Sequence, residues 1–163
     1  MSIKNIKASF ILKDKVDTPS KNRIFKQDNV IYTIYPHFRN LINVTGIKSF
    51  QQLEKAKKII ESKFEKRVVK VRIDNIFFSK RNYKNVDMTK VYNFMQNNPM
   101  FNVDYNIELF AGMFLKPKTS EYPTILFFRT GSYTMMGATK QDVLLECQIF
   151  VHNLILMFDK SCI

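Results

Sequence analysis

The sequence predicts an α+β fold: an antiparallel sheet assembled from two repeats, with long helices on one side only. Three observations point there. A strand-like segment with Asn-Ile at its centre occurs twice, IKNIKASFIL at 3–12 and VRIDNIFFSK at 71–80, so that Asn5 and Asn75 lie 70 positions apart. A strand that ends in glycine and runs into a helix cap also occurs twice, as LINVTGIKS at 41–49 and YTMMGATK at 133–140. Each cap is followed by apolar residues at helical spacing. The chain is therefore a single domain, with repeat one at about 1–69 and repeat two at about 70–163. Two half-sheets join into one curved antiparallel sheet. The long helices cover its convex side and leave the other face open.

Each element has its own warrant. In 3–12 and 71–80, alternation puts successive side chains on opposite faces. Residues 14–22 are too short and polar to predict a helix, whereas 88–95 is a short helix after the first strand of repeat two. Ser49 with Gln52 forms a capping box ahead of the stripe Leu53, Ala56, Ile60 and Phe64. The opposite face of that helix is Lys55, Lys57, Lys58, Lys63 and Lys66, a charge run that reads as a solvated face. In 122–140, Ile125 and Phe127 alternate with Leu126 and Phe128, giving a strand with two apolar faces. Arg129 to Ser132 make the turn, Gly131 supplying positive φ. Thr139 with Asp142 resembles a helix N-cap, and Val143, Cys147, Phe150, Leu154 and Phe158 form the stripe that follows.

Composition narrows the function. Formal net charge is +12, which suggests a polyanion partner or a solubilising surface. The excess is uneven, with 15 basic and 6 acidic residues in 1–69 against 11 and 8 in 70–163. Cys147 and Cys162 form no disulfide framework or zinc spacing, so a reducing, intracellular compartment is expected. There is no signal-peptide pattern, and the apolar run 149–158 is interrupted by His152 and Asn153, so no membrane span is expected. His37 and His152 are the only histidines, His152 reading as a core or edge residue. No phosphate loop, nucleophile elbow or metal cluster appears. The expectation is a protein that is not an enzyme and has no cofactor, metal or small-molecule substrate.

Alternation also assigns the open face. If Ile6, Ala8 and Phe10 face the helices, then Asn5, Lys7 and Ser9 face away. So do Asn43 and Thr45, Asn75 and Phe77, Leu126 and Phe128, and Thr134 and Met136. This mixture of large apolar groups, hydroxyls and amides is odd for a solvated surface. Either another protein or a dimer mate covers it, or it lies on a DNA minor groove, which offers only acceptors at A·T pairs and has an apolar sugar wall.

These residues resemble the TATA-box-binding protein family across roughly the whole chain. The marks are Asn-Ile in each first strand, TGIKS at 45–49, ELFAG at 108–112, LFFRTG at 126–131 and MGATK at 136–140. The resemblance implies a saddle-shaped fold whose concave sheet binds the minor groove. It implies that Asn5 and Asn75 donate to base acceptors near the pseudodyad, and that Phe110 and Phe128 wedge into one end of the site. Phe25 and Tyr35 are the first-repeat counterparts, with Phe38 competing for the place of Tyr35. Lys7, Asn43, Thr45, Phe77, Leu126, Thr134 and Met136 fall on groove-lining positions, Lys116 on a phosphate-contacting position, and Glu108 on the position that engages a TFIIB-type factor.

The chain departs from the family pattern at several places. Ala111 stands where members usually carry proline, Ser132 where a lysine follows the hairpin glycine, and Leu41 or Asn40 at that lysine's place in repeat one. Lys7 replaces an apolar groove residue, Met136 a threonine, and repeat one is shortened. A shortened Lys/Asn/Ile-rich member points to an AT-rich genome, such as that of a large DNA virus or a fast-evolving protist. The implied function is binding and bending of A·T-rich double-stranded promoter DNA, with recruitment of initiation factors and RNA polymerase machinery. Its place would be the nucleus, or the host nucleus or a cytoplasmic viral factory. The alternative is a protein-interaction subunit on the same fold that has lost DNA binding.

Overall fold

The computed structural model describes residues 2–17, 23–35 and 37–161. Its elements are β1 (Ser2–Leu12), β2 (Ile24–Gln27), β3 (Val30–Ile34), β4 (Leu41–Ile47), α1 (Phe50–Phe64), β5 (Val68–Lys80), α2 (Met88–Met95), β6 (Phe101–Asp104), β7 (Met113–Pro117), β8 (Thr124–Phe127), β9 (Tyr133–Ala138) and α3 (Gln141–Phe158). They sort into two compact units, Ile3–Ile76 and the chain from Phe77 onward, with the boundary inside β5.

In the first unit the strand order is β2-β3-β4-β1-β5. Asp28 and Asn29, both at positive φ, form the two-residue turn between β2 and β3. Registers Tyr32↔Val44↔Ala8 and Ile34↔Ile42↔Phe10 align six fully buried side chains on one face. Helix α1 starts at the expected cap, where Gln52 N–H donates to Ser49 Oγ at 3.0 Å and the Gln52 side chain accepts from Lys48 N–H. It buries Leu53, Ala56 and Ile60. Gly46 sits at φ +91°, and a Cβ there would lie 2.8 Å from the Asn29 carbonyl oxygen, so the strand end admits only glycine.

In the second unit the order is β5-β9-β8-β7-β6. Met113↔Phe127↔Tyr133 places three buried side chains in one row, with Leu115, Ile125 and Met135 beside it. Asp87 caps α2 by accepting from Lys90 N–H at 3.2 Å. Helix α3 begins one residue later than expected. Its N-cap is Lys140, without a side-chain bond, because Asp142 Oδ1 accepts from its neighbour Val143 N–H instead. Its buried stripe is Leu144, Cys147, Val151, Leu154 and Ile155. Of the expected stripe only Cys147 and Leu154 are buried; Val143, Phe150 and Phe158 are half-buried. His152 is exposed rather than part of the core. By length and mean hydropathy (1.2) α3 could cross a membrane, contrary to the expectation drawn from the shorter run 149–158. Its buried stripe is what a core helix shows. Among the described residues, α2 and β6 have no counterpart in the first unit.

Candidate nucleic-acid interface

In the first unit the row Thr33↔Asn43↔Ser9 lies on the face opposite Tyr32, Val44 and Ala8. Asn5, Lys7 and Thr45 share that parity. Asn5 Oδ1 accepts the Gly46 N–H at 2.7 Å. A backbone N–H can bond only to the oxygen of the amide, so this contact fixes the orientation of Asn5 and leaves its NH₂ as the outward chemistry, a donor. Asn43 and Ser9 are buried, at 9% and 2% exposure, so neither side chain is presented as an open groove-lining group. The expected placement of Asn43 is corrected to that extent. Asn75 on β5 is half-buried.

In the second unit the row Phe114↔Leu126↔Thr134 and the pair Thr124↔Met136 occupy the face opposite the buried Ile125 and Phe127. Phe77, Leu126, Phe128 and Thr134 are half-buried, and Met136 is exposed. Phe110 stacks on Phe114 with centroids 5.7 Å apart and meets Phe128 edge-on at 6.0 Å. Gly112 makes this cluster possible. A Cβ there would come within 2.7 Å of Leu126 Cδ1, 2.8 Å of Phe110 Cε1 and 3.0 Å of Phe128 Cε1.

Ser132 has a local role. Its hydroxyl donates to the Asn82 carbonyl at 3.0 Å and accepts from Asn82 N–H at 2.9 Å, while the Asn82 amide donates to the Gly131 carbonyl. The hairpin tip beside Phe128 is thereby braced by three hydrogen bonds. A lysine at this position would lose both bonds to Asn82 made by the Ser132 hydroxyl, and the one it accepts from Thr130 Oγ1 at 2.9 Å. Glu108 lies on an exposed turn between Ile107 and Leu109, both largely exposed, with its N–H bonded to Asn106 Oδ1.

Lys116 is not a free cation, because its ammonium lies 3.1 Å from Asp104 Oδ2. Both side chains are more than half exposed, which makes the pair easily exchanged for a phosphate contact. Asp104→Asn should therefore raise affinity for a DNA duplex, by up to about fivefold. Lys116→Ala should lower the slope of log K against log salt by about one. Both are read from salt titrations of duplex binding, and a slope indifferent to Lys116 would overturn the expected phosphate contact there.

Among the described residues no group of three His, Cys, Asp or Glu could hold a metal ion. Burial pushes the Cys147 thiol up to about 12, leaving it protonated at neutral pH.

Residues 70–154 match the family model described as transcription factor TFIID, or TATA-binding protein, TBP. The chain belongs to the TATA-binding protein family. Among solved structures its fold is similar to that of Methanococcus jannaschii TBP, at 17% identity and a TM-score of 0.65, covering 95% of this chain and 97% of that one. No curated protein sequence matches the chain.

Against that family frame, Phe25 needs correction. It stacks on the buried Tyr32 at 4.6 Å, packs edge-on to Phe64 of α1 at 6.0 Å, and carries Lys63 Nζ 4.2 Å above its ring. Phe25 thus belongs to the helix-covered face and is not placed to wedge into DNA. Strand register explains the error. Phe110 lies three residues before Met113, the partner of Phe127; the counterpart of Met113 is Arg23, whose carbonyl bonds to Ile34 N–H. Three residues before Arg23 is Ser20, outside the described residues. Tyr35 follows β3 as Phe128 follows β8 and is exposed; Phe38 lies beyond the strand.

Sequence reasoning missed Ile24, Ile31 and Phe114. Ile24 pairs with Thr33, Ile31 with Thr45, and Phe114 with Leu126, so all three share the open parity. Their alternation was visible, but β2, β3 and β7 are four or five residues long. Runs that short give no usable periodicity until their partners are known.

Proposed function

We propose that this family member is a non-catalytic initiation factor that binds A·T-rich double-stranded promoter DNA through the minor groove and bends it. In doing so it would recruit a TFIIB-type factor and RNA polymerase machinery, in a nucleus or at a viral site of transcription. The supporting observation is the chemistry of the strand faces opposite the helices. Half-exposed Leu126, Phe128 and Phe77 sit among hydroxyls, and the Asn5 amide is held so that its donors are what remains. Minor-groove A·T edges offer acceptors alone, and a G·C pair adds an amino donor that would oppose Asn5. Glu108, on its exposed turn, is the proposed contact for the TFIIB-type factor.

The acidic groups Asp104 and Asp74 near these faces favour one competing reading, a protein-interaction subunit without DNA binding. A gel shift of an A·T-rich duplex against a G·C-rich control separates the two. Asn75→Ala should weaken A·T-rich binding by about 1–3 kcal/mol. Asn5→Ala should do the same and also lower unfolding stability by about 1 kcal/mol, because Gly46 N–H loses its acceptor. Binding titrations and urea unfolding measure these effects, and unchanged affinity in both folded variants would remove the asparagines from the site.

A further inference from the structure

On the helix side of the second unit, a small pocket of about 190 Å³ opens between α3 and the strands β5 and β9. Leu145, Ile149 and Ile155 of α3 form its apolar wall, and Tyr133, Lys80 and His152 bring polar groups to it. Asn82 also lines it, and the hydrogen bonds that tie Asn82 to Ser132 and Gly131 fix that edge before any ligand arrives. Among the described residues no carboxylate lines the pocket.

Tyr133 is the unusual member. It is only 3% exposed, and it sits in the buried row with Met113 and Phe127. Its hydroxyl has no hydrogen-bond partner among the described residues, and burial pushes it up to about 12, so at neutral pH it is a donor. Every fully buried side-chain nitrogen or oxygen among the same residues does have a partner. The Tyr133 oxygen therefore still touches open space, and the open space that Tyr133 lines is this pocket. A hydroxyl withdrawn from bulk water without a partner costs folding free energy, which an acceptor in the pocket would recover.

The other polar groups say what kind of acceptor fits. Lys80 is half-buried and, among the described residues, is in no ion pair. His152 adds a ring N–H, present in its neutral form as in its charged one. Donors of this kind beside an apolar wall, with no acid among them, suit a carboxylate on an apolar tail. Size limits the tail. A dry protein cavity of about 150 Å³ holds benzene, so this pocket takes one ring or a short branched chain and little more.

We infer that the pocket binds a small monocarboxylate, a single ring or short branched chain carrying one carboxyl group. Tyr133 and Lys80 donate to the carboxylate, the exposed His152 closes the rim, and the tail lies against Leu145, Ile149 and Ile155. The site lies on the helix-covered side of its strands, so it does not depend on the proposed DNA contacts.

Benzoate titrated into the full chain, followed by backbone amide NMR shifts, tests this. The shifts should saturate and map to α3, β9 and the end of β5. Benzyl alcohol, which has the ring without the charge, should bind at least about tenfold more weakly. Tyr133→Phe keeps the ring in the core and should weaken benzoate by about tenfold. Its midpoint in urea should stay unchanged or rise, because the hydroxyl it removes had no partner. Lys80→Gln, at a half-buried position, should weaken benzoate by a similar factor. Shifts that do not saturate, or that map elsewhere, overturn the site. Equal affinity for benzoate and benzyl alcohol, or wild-type affinity in both variants, overturns the carboxylate assignment. A fall in the urea midpoint of Tyr133→Phe overturns the role of its hydroxyl as a free donor.

Discussion

Alanine at both Phe110 and Phe128 is expected to leave the protein folded and to straighten an A·T-rich duplex in the proposed complex. The two rings touch each other and are not sealed into the core; Phe110 is 45% exposed and Phe128 half-buried. Their removal therefore costs little stability. A flat apolar ring can enter a partly opened base step and replace some of the lost stacking. For minor-groove proteins, of which TATA-binding proteins are a standard example, opening a step costs a few kcal/mol or so. Without the rings nothing offsets that cost, and the bend should relax at the end of the site under the second repeat. Energy transfer between dyes at the duplex ends reads this directly. Tyr35→Ala is the first-repeat comparison and should straighten the DNA less, because its hydroxyl would need a polar partner inside the stack. Phe25→Ala should leave the bend alone. Equal bends from wild type and the Phe110/Phe128 variant would end the wedge assignment.

One residue earlier in the chain the expected result reverses. Phe127 is fully buried, opposite Met113 and Tyr133. Phe127→Ala removes a large side chain from a close-packed row and leaves a cavity, at a cost of about 3–5 kcal/mol of unfolding free energy. That is a large part of the total for a chain of this size. Phe128→Ala should cost under about 1.5 kcal/mol, a bound drawn from scattered surface-type substitutions. Urea unfolding of the two single variants compares adjacent phenylalanines on opposite faces of one strand. Similar losses would mean that the open face is not open.

What the sequence made legible follows from where its signals are local. Long strands such as β1 and β5, and the capping box at Ser49, declare themselves through period and cap chemistry alone. So did the parity of Asn5, Leu126, Phe128, Thr134 and Met136, because alternation is a property of one strand. Phe25 was misplaced because its face depends on how a four-residue strand pairs, which only Tyr32 and Phe64 reveal. Burial of Ser9 and Asn43 was likewise hidden, since for Ser9 it depends on Arg72 and Asp74 from a strand about sixty residues away. Thr139 has the side chain of a cap, whereas the N-cap of α3 is Lys140, with no side-chain bond. Ser132 stands where the family pattern has a lysine, and its role depends on Asn82, fifty residues away in the chain, which no local pattern reveals.

The correction at Phe25 also bears on how the first unit breathes. β2 is an edge strand of four residues, paired on one side only, and Ile24, Lys26 and Gln27 are exposed. Phe25 is the only residue of β2 that is not exposed, and its ring packs toward the helix layer. Local opening of a short edge strand paired on one side needs little free energy, so the amides of β2 should exchange with deuterium long before those of β1, which is flanked on both sides. The stack on Tyr32 and Phe64 then acts as a latch. With Phe25 in place β2 stays zipped to β3; without it the strand would fray into solvent and expose the N–H and C=O groups of β3 as a template for stray pairing.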